Sequence, residues 1–132
     1  MPKQRGKDLF YRNERGTIVV KPWVILEVLD YDKDTGAFTW NYRGPDLARS
    51  QTFNARFAGR PAFTSISNCK GSSGYLSGSV LSVPCRAHRV AWVFISGGWP
   101  SQQIDHINGN KLDNRAVNLR DVSPLDNIRL YH

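Results

Sequence analysis

The chain has 132 residues, 40% of them hydrophobic, and a net charge of +7, which suits one compact domain and is too little for two independent cores. No apolar run reaches the roughly 20 residues of a membrane helix, and Met1 to Arg15 has charges without the apolar stretch of a secretory signal, so no membrane partner and a cytoplasmic location are expected. Cys69 and Cys85 form no CxxC pair, and with His88, His106 and His132 as the histidines no four-ligand Cys/His site has recognisable spacing, so no structural zinc is expected.

Residues 1–20 carry five basic and two acidic groups, and residues 21–42 two and four; residues 43–102 carry seven and one, and residues 103–132 four and four. The excess therefore sits in the middle of the chain. Twelve Arg against six Lys suit bidentate grip on phosphate or guanine edges. A nucleic-acid partner fits, although a ribosomal-type or membrane-surface protein shows the same excess.

In chain order, residues 1–16 read either as a disordered tail or as a basic arm that orders along a nucleic-acid backbone. After Thr17 to Val20, Pro22 opens a helix through Leu29, with Trp23, Leu26 and Val28 or Leu29 facing inward. Asp30 to Gly36 reads as a solvated turn, since its three aspartates lack the bidentate Glu of a calcium loop. Ala37 to Tyr42 alternates as a half-buried strand. Residues 44–57 look loop-like, with a short helix around Asp46 to Ser50. Strands are expected at 58–64, 75–80 and 81–84, with a Ser/Gly/Asn-rich loop at 65–74. A helix follows from Arg86 to Ser96, stopped by Gly97-Gly98. The fold class is thus α+β, a small antiparallel sheet between helices. The expected organisation is an arm at 1–16, a helix-plus-sheet region at 17–85 and a C-terminal unit at 86–132.

Residues 103–130, QIDHINGNKLDNRAVNLRDVSPLDNIRL, read as strand, loop, strand and short helix. Asp105 offers a carboxylate for a hard cation and His106 an imidazole to activate water; Asn118 lies 12 positions after His106, and Asn127 9 further on. Ser123-Pro124-Leu125-Asp126 supplies an N-cap hydroxyl, a proline at N1 and an acidic residue at N3, which places Asn127 in the first turn of the last helix. Taken singly these features are weak, since Asn108-Gly109 is by itself a strong turn dipeptide.

Together they resemble the HNH, or ββα-metal, endonucleases, in the variant ending in Asn that is common in phage-encoded and homing nucleases. Arg86-Ala87-His88-Arg89-Val90-Ala91-Trp92 and Gly98-Trp99-Pro100 resemble the helix that precedes the motif in that group. The resemblance implies a metal-dependent DNA endonuclease, acting on double-stranded DNA as monomer or homodimer, by a nick or a double-strand break. It implies Mg²⁺ or Mn²⁺ held by Asp105 and Asn127, with His106 as general base and Asn118 as the residue that ties the loop. The second ring nitrogen of His106 is expected on a backbone carbonyl. His88 reads as packing or hydrogen bonding in preference to an extra catalyst. Without zinc, packing falls to Trp92, Trp99, Leu119, Leu125 and Leu130.

Arg115 and Arg120 are candidates for the phosphate near the cut bond. Arg43, Arg49, Arg56, Arg60, Lys70, Arg86 and Arg89 are expected to lay a basic face on DNA. The rival readings are a non-catalytic DNA-binding protein with the same fold, an RNA-directed protein, and a loosely specific toxin nuclease.

Overall fold

The computed structural model describes residues 9–47, 49–67, 74–123 and 125. Strands β1 (Phe10–Arg12) and β2 (Ile18–Val20) form an antiparallel hairpin, Phe10 opposite Val20. The expected arm is therefore folded from Phe10 onward, because Asn13 Oδ1 accepts from the backbone of Arg15 and Thr17 and closes the turn.

Helix α1 (Pro22–Val28) starts on Pro22 at N1 and ends where Leu29 turns extended and opens β3 (Leu29–Tyr31). Its phase differs from the expectation. Val24, Ile25 and Val28 are its buried residues, whereas Trp23 and Leu26 are exposed, because the apolar run is continuous and its inward face is chosen by tertiary packing. Strand β3 pairs with β4 (Phe38–Trp40), and β4 with β5 (Pro61–Ala62). Asp32 Oδ1 accepts from the N–H groups of Asp34 and Thr35, which shapes the turn between β3 and β4.

Helix α2 (Ser50–Phe57) occupies a stretch expected to be loop-like. It buries no residue, so the apolar periodicity that reveals a helix is missing from SQTFNARF. Strand β6 (Ser65–Ile66) lies inside the expected Ser-rich loop and pairs with β7 (Leu76–Val80), which pairs with β8 (Val83–Arg86). Helix α3 (Ala87–Ser96) ends on Gly97 at φ 89°, whose N–H reaches Val93 O. Strands β9 (Gln103–His106) and β10 (Leu119–Val122) form the last antiparallel pair.

The architecture is mixed α+β. Among the described residues the strands form four small antiparallel sheets, not the single sheet expected. Strands of two to five residues satisfy each other locally and leave their faces to be covered by helices. One apolar cluster covers them, from Leu9 and Val20 through α1, Phe38, Phe63 and Val80 to α3, Ile104 and Leu119. Trp99 packs on its edge and donates its indole N–H to Val20 O at 2.8 Å, so the first hairpin is tied to the loop before β9. Leu125 is exposed and adds no such packing; Leu130 lies outside the described residues. No helix among the described residues is long and apolar enough to cross a membrane.

Candidate active site

The β9–β10 pairing sets Asp105 opposite Arg120 and His106 opposite Leu119. Directly opposite residues share a face and successive residues alternate, so the carboxylate and the imidazole leave the ribbon on opposite sides. Both are buried, at 8% and 6% exposure. Arg120 brings its Nε to 3.0 Å and its Nη2 to 2.9 Å of Asp105 Oδ2. That guanidinium holds the carboxylate; the expectation that Arg120 grips phosphate meets a side chain already bound to Asp105.

His106 Nε2 lies 2.8 Å from Asn114 Oδ1. A side-chain amide, not the expected backbone carbonyl, thus takes this ring nitrogen. With an amide oxygen as its partner, Nε2 is the ring nitrogen that donates. Asn114 was not among the candidates read from the sequence, and it is only 2% exposed. Its signal was the pair Asp113-Asn114 inside a polar loop, where a buried amide must find partners.

The loop from Ile107 to Asn118 is held mostly by asparagines. Asn118 Oδ1 accepts from Asn108 N at 2.9 Å, and its Nδ2 donates to Asn108 Oδ1 at 3.0 Å and Asp113 O at 2.9 Å. Asn108 Nδ2 also donates to Asp113 Oδ2. Arg115 is turned back onto Asp113, Nε to Oδ1 and Nη2 to Oδ2, each at 2.8 Å. That pairing and the hydrogen bonds around it hold the Asp113 carboxyl well below the usual carboxylate range, and they compete with the phosphate contact expected of Arg115.

The turn before β4 braces the same loop. Tyr31 donates its hydroxyl to Asn114 O, and Ala116 N donates to Lys33 O at 3.0 Å. Burial, with Asp32 and Asp113 nearby, pushes the Tyr31 phenol up to about 12, so it stays a donor. Gly36, at φ +80°, approaches so closely that a Cβ would stand 2.7 Å from Asn114 C and 2.8 Å from Arg115 N. Only glycine fits that approach.

His88 on α3 is buried with its ring centroid 5.3 Å from that of His106. Burial, then the positive potential of His106, Arg89 and Arg86, pushes its pKa down to about 3, so it stands neutral at pH 7. Tyr75 completes the group, 4.8 Å from His88 and 6.0 Å from His106, under Lys111 Nζ at 4.8 Å.

The remaining basic candidates divide. Arg43 is 8% exposed, with its guanidinium carbon 3.4 Å from the Phe53 ring centroid, so burial removes it from the expected DNA face. Arg49, Arg56, Arg60 and Arg86 are exposed and Arg89 is half-buried. Asn127, Lys70, Cys69 and His132 lie outside the described residues. Cys85 is a free, half-buried thiol whose pKa burial raises to about 11.

Asp105 supplies a hard, buried oxygen donor, and no three His, Cys, Asp or Glu side chains gather among the described residues. A carboxylate oxygen is the donor type that a hard cation takes. Neither the curated proteins nor the solved structures yield a match to the chain. Residues 85–129, about a third of its length, match the family model described as HNH endonuclease. That segment, which spans α3, the β9–β10 pair and the loop between those strands, is similar to the HNH endonucleases.

Proposed function

We propose that the protein is a metal-dependent DNA endonuclease, phage-encoded or homing-like, that hydrolyses phosphodiester bonds to 5′-phosphate and 3′-hydroxyl ends. The observation that carries this reading is the placement of His106: buried beside Asp105 in β9, with Nε2 on Asn114 Oδ1. Nδ1 takes a proton from the attacking water as the new oxygen–phosphorus bond forms and the bond to the 3′ oxygen breaks. Asn118 acts through the loop, keeping its carbonyls and amides in register so that Asn114 stays under the ring.

Asp105 and Asn127 would hold Mg²⁺ or Mn²⁺. Bound there, the cation supplies charge neutralisation at phosphorus and at the departing oxygen. Arg120 contributes by fixing the carboxylate's orientation. The DNA backbone falls to the exposed Arg56, Arg60 and Arg86 and to Arg89, with Arg43 buried and Arg115 and Arg120 paired with Asp113 and Asp105.

Incubation with supercoiled plasmid and Mg²⁺ tests the proposal. Wild type is expected to yield relaxed or linear DNA, and His106→Ala to slow that conversion by about 100-fold or more, the usual worth of a general base. Plasmid left intact by the wild type while it still binds duplex DNA would mean a non-catalytic binding protein.

A further inference from the structure

The hydrogen bond to Asn114 fixes one end of the His106 ring, and ring contacts bear on its plane. The contacts that set its plane come from outside the β9–β10 ribbon. His88 meets it at 60° between planes and 5.3 Å between centroids, and Tyr75 at 36° and 6.0 Å. Tyr75 and His88 lie on each other at 33° and 4.8 Å. Among the described residues the apolar core engages Phe38, Trp40, Trp92, Phe94 and Trp99, and not Tyr75. The ring contacts of Tyr75 among the described residues are His88, His106 and Lys111, all groups at the site.

Lys111 closes the arrangement from the loop side. Its Nζ stands over the Tyr75 ring at 4.8 Å, and its Cδ would be 3.4 Å from a Cβ at Gly74, so its stem lies along the same turn. An ammonium over an aromatic face is attracted by the ring quadrupole. The loop that carries Asn114 thus grips the residue whose ring faces His106.

We propose that Tyr75, contributed by the segment before β7, is a positioning residue for His106: with His88 it forms an aromatic shelf that holds the imidazole in the plane from which it takes a proton, and Lys111 clamps that shelf to the loop. The proposal rests on His106 being the general base. It requires the ring of Tyr75 and not its hydroxyl, and it requires the effect to fall on turnover, since Tyr75 is given no contact with the nucleic acid.

Two measurements test it, on the full chain. In cleavage of a duplex with Mg²⁺, Tyr75→Leu is expected to lower kcat about 10-fold or more with KM within about twofold, and Tyr75→Phe to restore kcat to within about twofold of wild type. In long-range nitrogen–proton spectra of the imidazoles, recorded without metal or DNA, wild type and Tyr75→Phe should give one sharp His106 tautomer protonated at Nε2. Tyr75→Leu should give averaged or broadened signals. An unchanged kcat or an unchanged His106 spectrum in Tyr75→Leu, or a Tyr75→Phe as slow as Tyr75→Leu, overturns the proposal. Should wild type itself cut nothing, the nuclease reading fails and the spectra alone decide for or against the shelf.

Discussion

Asn114 is more deeply buried than the histidine it holds, at 2% against 6% exposure. An amide placed there must be satisfied or it destabilises the fold, so its bond to His106 is fixed by the same demand that fixes the loop. The opposite demand acts at His88. Its pKa is pushed from the ordinary 6.5 down to about 3 by burial first, and then by His106, Arg89 and Arg86. Between those pH values the unfolded chain binds a proton at this position and the folded chain does not. Stability from this group is therefore complete above about pH 6.5 and is lost as pH falls toward 3, with a slope of up to about 1.4 kcal/mol per pH unit. Urea unfolding at pH 7, 5.5 and 4.5 should show a shallower loss for His88→Gln than for wild type. Equal slopes would mean that His88 takes up its proton without unfolding.

At the scale of elements, the turn between β3 and β4 acts as a brace under the loop that follows β9. Gly36→Ala would impose both a left-handed φ on a side chain and a Cβ against backbone atoms that cannot yield without moving Asn114. We expect the variant to lose about 2 kcal/mol or more in urea unfolding and to cleave more slowly than wild type at a temperature where both are folded. A variant with normal stability and normal cleavage would show that the brace is dispensable. The turn itself is readable from Asp-Lys-Asp-Thr-Gly, but its partner is not, because nothing local says that Gly36 will meet residues 78 positions later. The same limit explains α1 and α2. In α1 the apolar run is unbroken, and only the arrival of α3 decides that Val24 and Ile25 turn inward and Trp23 outward. In α2 no residue is buried, so there was no period to read. The β9–loop–β10 segment was legible because its Asp-His pair, Asn-Gly turn and later Asn sit at spacings that resemble a known motif. What the spacing left out, Asn114 and Tyr75, are residues that work on His106 and have no reacting atom of their own to impose a spacing.

Across the whole molecule, the segment that matches the family model begins at residue 85. Several of the groups that shape its site come before that point. Tyr31 and Lys33 hold the loop backbone, Gly36 abuts it, and Tyr75 lies by the rings. Helix α3 also buries Val90 and Val93 in the core it shares with Val24, Ile25 and Phe38. A fragment of residues 85–132 is therefore expected to be largely unfolded by circular dichroism and to cut plasmid at least about 100-fold more slowly than the full chain. A folded, equally active fragment would refute that dependence.

Helix α2 has the reverse relation to the rest. Its eight residues are all outside the buried core, with Arg56 on the surface and only Phe53 and Phe57 leaning on neighbouring rings. Its outward positions can accept new side chains at little cost to folding. The surface can therefore vary along this helix while the core and the β9–β10 pair stay as they are.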